Sequence, residues 1–236
     1  KAGNYAAALE EWLPLAEEGD AFGQVSLGFL YFEGKGVEQD FAEAANWFRK
    51  AAEQGNASGQ VRLGFQYVEG KGVEQDYAEA AKWYRKAAKQ DDAYGLVNLA
   101  RLYEVGKGVV QDYAEALGAY AELLESHPQS PRTADAHFQV GFLLAEMGAP
   151  EASTENLEAF LLASETADLR RGSAALRIGD NHLFLSQRAE ACNAFARAAQ
   201  SVDAEVQDLG LFKLGWCNYD LERPEAARQA LRQLLD

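Results

Sequence analysis

The sequence predicts an all-α chain of stacked antiparallel helix pairs. Three observations predict it: a 36-residue period, a glycine corner that returns with it, and apolar residues at helical spacing on either side of that corner. The segment Gly19 to Gln54 laid over Gly55 to Gln90 is identical at 27 of 36 positions. "EGKGVEQD" recurs letter for letter at Glu33 and Glu69, and a worn copy, "VGKGVVQD", starts at Val105. A fixed period of this length is the signature of a repeat architecture, in which each unit covers its neighbour's apolar face.

The units follow in order. The opening stretch, Asn4 to Gly19, aligns with Asp40 to Gly55, so residues 1–18 read as half a unit. Full units then span 19–54, 55–90 and 91–126. The first helix of each carries Leu-Gly-x-x-Tyr, at Leu27, Gly28 and Tyr31, at Leu63, Gly64 and Tyr67, and as Leu99, Ala100 and Tyr103. These share a face, and the small residue lets a neighbouring helix approach closely. The second helix starts at Asp40, Asp76 or Asp112, whose carboxylate can accept from the free amides of the first turn. Glu43, Glu79 and Glu115 stand three residues on, placed to reach back to the cap and to suit the positive end of the dipole. Phe41, Ala44, Ala45, Phe48, Ala51 and Ala52 form the stripe of the second helix.

The glycine corner raises a second reading, since two glycines beside a lysine can cradle a phosphate. Phosphate-binding glycine fingerprints follow a strand and open a helix. This loop follows a helix, with no strand-like alternation nearby, so Gly34 and Gly36 read as positive-φ positions that turn the chain.

At "HPQSPRT" the pattern changes, with Pro128 and Pro131 interrupting helix over a seam at 127–133. Three further pairs follow in 134–236, with small anchors at Gly141, Gly179 and Gly215 and a second small residue at Ser153, Ala191 and Ala227. Pro150 and Pro224 stand where a second helix begins, which tolerates a missing N–H.

Through "LGFLYFEGKGVEQDFAEAANWFRKAAEQG" and its successors, residues 1–126 resemble the Sel-one-like repeat family. Residues 132–236 resemble tetratricopeptide repeats more loosely: His137, Ala175 and Leu211 replace the usual early tryptophan. The resemblance implies right-handed α-solenoids that bind proteins without catalysis, and a bacterial source. It also implies a periplasmic location ahead of a cytoplasmic one. One Sel-one-like branch pairs cysteines within each repeat, but residues 1–126 contain none.

In tetratricopeptide-like units the residue after the small anchor tends to face the concave side. Here those positions are Phe29, Phe65, Arg101, Phe142, Asp180 and Trp216, with Phe22, Val25, Phe32, Val61, Val68, Phe212 and Tyr219 nearby. The predicted partner-binding face comprises Phe22, Phe29, Phe65, Arg101, Phe142, Trp216 and Tyr219. Exposed aromatics and arginine mark binding hot spots. Large apolar side chains at helical spacing are also the commonest core material. The groove reading therefore requires alanine variants that stay folded and lose a partner.

Composition narrows the function classes. The formal charge is −15 and acidic residues dominate both halves, so nothing supplies the basic stripe that nucleic acid requires. No apolar run reaches the roughly 18 to 20 residues of a membrane span. The start without methionine suggests a trimmed N-terminus, and the end units suggest missing flanking sequence or contacts that cover them. Cys192 and Cys217 fall in adjacent helices and read as buried free thiols acting as small hydrophobes, ahead of a disulfide. No catalytic set, cofactor motif or metal-ligand spacing stands out. The expectation is a non-enzymatic adaptor for a peptide or protein partner, in bacterial envelope assembly or secretion. A self-associating platform is the first rival and a hydrolase the second.

Overall fold

The computed structural model describes residues 5–235, and these contain thirteen helices and no strand. The readings that rest on residues 1–4 and on Asp236 lie outside them. Two compact units divide the chain, 1–130 and 131–236.

In the first unit a lone helix, α1 (Tyr5–Glu17), packs on α2 (Ala21–Glu33), which pairs with α3 (Phe41–Glu53). The pairs α4 (Ala57–Glu69) with α5 (Tyr77–Ala88), and α6 (Ala93–Val105) with α7 (Tyr113–Ser126), stack behind it. The second unit repeats the plan with α8 (Thr133–Glu146) and α9 (Pro150–Ala163), α10 (Arg170–Phe184) and α11 (Arg188–Ala198), and α12 (Ala204–Asp220) and α13 (Pro224–Gln233). Each core cluster is shared between pairs. Ala44, Phe48 and Ala51 of α3 bury against Val25 before them and Leu63 after them. Burying one such side chain contributes about 1.5–3 kcal/mol, so a pair without its neighbour forfeits much of its stability.

The helix starts follow the sequence chemistry. Asp40 Oδ1 accepts from the amides of Ala42 and Glu43, each at 2.9 Å, and Asp76 and Asp112 repeat this. The reciprocal half of the predicted capping box is absent. The Asp40 N–H donates instead to Tyr31 O at 3.0 Å, so the corner itself uses the group that Glu43 was expected to satisfy.

The small anchors meet one large side chain each. A Cβ on Gly28 would lie 2.7 Å from the Phe48 ring, on Gly64 2.7 Å from Tyr84, and on Gly179 2.3 Å from Phe195. Pro150 and Pro224 open α9 and α13 at the tolerated first position.

The cysteines correct an expectation. Cys192 and Cys217 form a disulfide, where free thiols were predicted. Packing α12 on α11 brings their Cα atoms to 5.6 Å, within bonding range, a proximity that sequence spacing alone does not reveal.

Candidate functional site

The glycine corner and the first-helix aromatics are the two features with functional potential. At the corner, Gly34 (φ 66°) and Gly36 (φ 76°) adopt the left-handed region that glycine enters without strain. The corner amides that an anion would need point back at α2: the N–H groups of Gly34 and Lys35 both donate to Leu30 O. In the next two copies the corresponding pairs of amides donate to Gln66 O and Leu102 O. Each corner also sits at the C-terminal, negative end of a helix, which disfavours phosphate. The lysines have other work. Lys35 pairs with Glu33 and lies 5.3 Å from the Tyr5 ring centroid; Lys107 lies 4.9 Å from that of Tyr77. Gly72 is held so close to the start of α3 that a Cβ would meet Phe41 O at 1.9 Å. The corner is geometry that locks one pair onto the preceding one.

After three of the anchors, Gly28, Gly141 and Gly179, the next residue has a partner two residues before the following anchor. The Arg62 guanidinium lies 4.1 Å from the Phe29 ring centroid, and Arg177 lies 5.2 Å from that of Phe142. Asp180 forms an ion pair with Lys213 at the same relation. Partial desolvation pushes the Arg62 guanidinium below its usual pKa, although the residue as a whole is exposed. Phe29 also packs edge-on against Phe48 and Phe65 against Phe32, while Phe142 lies tilted against Phe138. These three predicted contact residues are half-buried and take part in packing between helices. Val25 and Val61 are buried outright.

Others stand in solvent. Arg101 is exposed and acts electrostatically on Glu104, whose carboxyl burial pushes up. Phe22 is 68% exposed on α2. On α12, Phe212, Trp216 and Tyr219 are 46%, 56% and 68% exposed. They form a ladder of edge-on contacts, with centroids 6.3 Å and 6.2 Å apart. Trp216 occupies the position that a cation covers at Phe29, Phe142 and Asp180. The sequence reading missed those cations, Arg62, Arg177 and Lys213, although their recurrence two residues before a glycine was visible.

Among the described residues no group of three or more His, Cys, Asp or Glu is placed to hold a metal ion, and no helix is long and apolar enough to cross a membrane.

Comparison with known proteins decides the family question. The Sel1 repeat description matches residues 21–56 and 57–92, and the tetratricopeptide repeat description matches 94–130 and 210–236. The chain carries Sel1 repeats and tetratricopeptide repeats. The Sel1 matches fall on the two near-identical copies, and the worn third copy falls within a tetratricopeptide match. Among solved structures, the chain is similar to c5321, a protective antigen of uropathogenic Escherichia coli with an SLR fold, at 29% identity and a TM-score of 0.74. That match covers 98% of this chain and 49% of the antigen, so this chain spans about half its length. A Sel1 repeat protein from Oxalobacter formigenes matches at 27% identity and TM-score 0.67, covering 99% and 92%. The tetratricopeptide protein YrrB shares the fold at 19% identity and TM-score 0.61, covering 81% and 92%. No curated protein matches the chain. Both repeat types commonly mediate protein–protein interaction and are generally non-catalytic.

Proposed function

We propose that this protein is a non-enzymatic scaffold that holds a polypeptide partner against the exposed aromatic face of its first helices. The exposed ladder of Phe212, Trp216 and Tyr219 carries the reading. Three large rings held in solvent on one helix cost solubility, and rigid aromatics of this kind dominate binding energy at protein interfaces. In the first unit, Phe22 and Arg101 extend the same kind of surface. Half-buried Phe29 and Phe65 belong to that first-unit surface, and half-buried Phe142 belongs to the second unit. YrrB is described as having an unusual peptide-binding site, and its shared fold supports a peptide-sized occupant here. The charge of −15 favours a basic partner. The Cys192–Cys217 bond supports an oxidising compartment, as bacterial envelope assembly or secretion would provide.

Affinity capture with the wild-type chain and a Trp216→Ala, Tyr219→Ala double variant tests this. Both side chains are exposed, so the variant's thermal melt is expected to match wild type while the captured partner is lost. Equal capture by both proteins overturns the assignment of this face.

A further inference from the structure

The first unit holds a groove whose lining shares no residue with the aromatic face. In the first two second helices the same position is tryptophan, Trp47 on α3 and Trp83 on α5; on α7 it is Ala119. Trp47 packs into a cluster with Ala16 of α1 and Leu27 of α2. Trp83, one repeat later, packs against Ala52 of α3 and Leu63 of α4. Each indole thus fills a slot between successive second helices, over the first helix between them.

The third slot has the same walls and no indole. Between α5 and α7 lies a groove of about 420 Å³, lined by Ala88, Leu99, Tyr103, Gly118 and Ala119 among others. Ala88, Leu99 and Tyr103 correspond, 36 residues on, to Ala52, Leu63 and Tyr67 around Trp83. The latch at the edge is conserved between copies within the chain: Arg49 Nη2 donates to Tyr67 OH, and Arg85 Nη2 to Tyr103 OH at 3.0 Å. A Cβ on Gly118 would meet nothing within 4 Å, so α7 leaves its side of the groove open.

We propose that this groove is a docking slot for a tryptophan side chain supplied by a partner polypeptide. The molecule itself supports the fit, because two slots that share its alanine, leucine and tyrosine walls each take an indole. In both filled slots the indole Nε1 is buried without a hydrogen-bond partner, so shape and apolar contact suffice for occupancy. The polar rim exchanges its charges across the slot. Around Trp83 a lysine lies over the ring, Lys86 at 3.9 Å from the centroid. At the open slot the residue corresponding to Lys86 is Glu122, while Lys89 and Arg85 supply cations from the opposite wall. The groove is open to solvent along one side, and that leaves room for the chain that carries the tryptophan.

The test uses the full chain with methyl groups labelled for NMR. The probes are N-acetyl-tryptophanamide, a pentapeptide with a central tryptophan, and N-acetyl-alaninamide as control. Both tryptophan probes are expected to produce saturable shifts at the methyls of Ala88, Leu99 and Ala119, and the control none. Ala119→Trp restores the repeat residue, fills the slot from within, and should weaken probe binding by at least about tenfold while raising the melting temperature. If that variant fails to fold, Ala119→Leu, a smaller filling, replaces it and must weaken binding in the same direction. Shifts that persist undiminished in the filled variant, or that map elsewhere, overturn the site. Binding of the amide but not the pentapeptide overturns the polypeptide source.

Discussion

Substituting alanine for two glycines of this chain should move its stability in opposite directions. Gly179 on α10 faces Phe195 of α11, and an added Cβ would lie 2.3 Å from the ring's Cε1. Ordinary contact begins near 3.4 Å, so the ring must retreat by about 1 Å. Phe195 is completely buried and cannot swing into solvent. Overpacking costs about 1–3 kcal/mol, and an approach this close to a fully buried ring belongs in the upper part of that range, about 2–3 kcal/mol. Alanine recovers about 1 kcal/mol of that in helix propensity. Gly179→Ala should therefore destabilise its unit by about 1–2 kcal/mol and lower its melting temperature by roughly 4–12 °C. Gly118 on α7 has nothing near its Cβ position, so Gly118→Ala should stabilise the first unit by up to about 1 kcal/mol. Urea titration followed by far-UV circular dichroism reads both. If Gly179→Ala is neutral or stabilising, the close helix approach at the anchor is wrong.

Three further outcomes follow from the same contacts. Reducing Cys192–Cys217, which closes a loop of sequence separation 25, should cost the second unit about 3.5 kcal/mol by the loop-entropy relation; identical urea midpoints with and without reductant would contradict it. Hydrogen bonds from the Arg170 side chain hold the Asp168 carboxyl below the usual range. The stabilisation this provides is present above the unfolded-state value near pH 4 and is lost as pH falls through the lower folded value. Acid titration below about pH 4 should accordingly destabilise the second unit, and Asp168→Asn should flatten that slope. Gly72→Ala should disrupt the corner, unlike the stabilising Gly118→Ala, because φ of 73° and the Phe41 carbonyl at 1.9 Å both oppose a side chain; amide exchange at Lys71 and Asp76 would report the opening.

Much of this architecture was legible in the sequence because it is local and repeated. The aspartate caps and the positive-φ glycines depend on neighbours within a few residues and recur three times with the period, while the prolines at the starts of α9 and α13 are equally local. The anchors were legible as small residues, though not the rings they meet. What escaped depends on residues far along the chain. Whether an aromatic after an anchor is covered is decided by a cation more than thirty residues downstream, as Arg62 covers Phe29. The disulfide depends on the packing of α12 against α11, which two isolated cysteines do not encode. The open slot at Ala119 was visible as a letter change from tryptophan, but its meaning required knowing that Trp83 points between second helices. The predicted face thus mixes half-buried Phe29, Phe65 and Phe142 with exposed Phe22, Arg101, Trp216 and Tyr219.

Site-specific photocrosslinking tests the scaffold account most directly. A photoreactive phenylalanine analogue placed at Trp216, and separately at Val110 on the glycine corner, compares the aromatic face with a more accessible control; Val110 is 87% exposed and Trp216 56%. The account predicts a discrete protein adduct from position 216, lost on adding Tyr219→Ala, and none from position 110. Equal adducts from both positions, or an adduct from 110 alone, would contradict it.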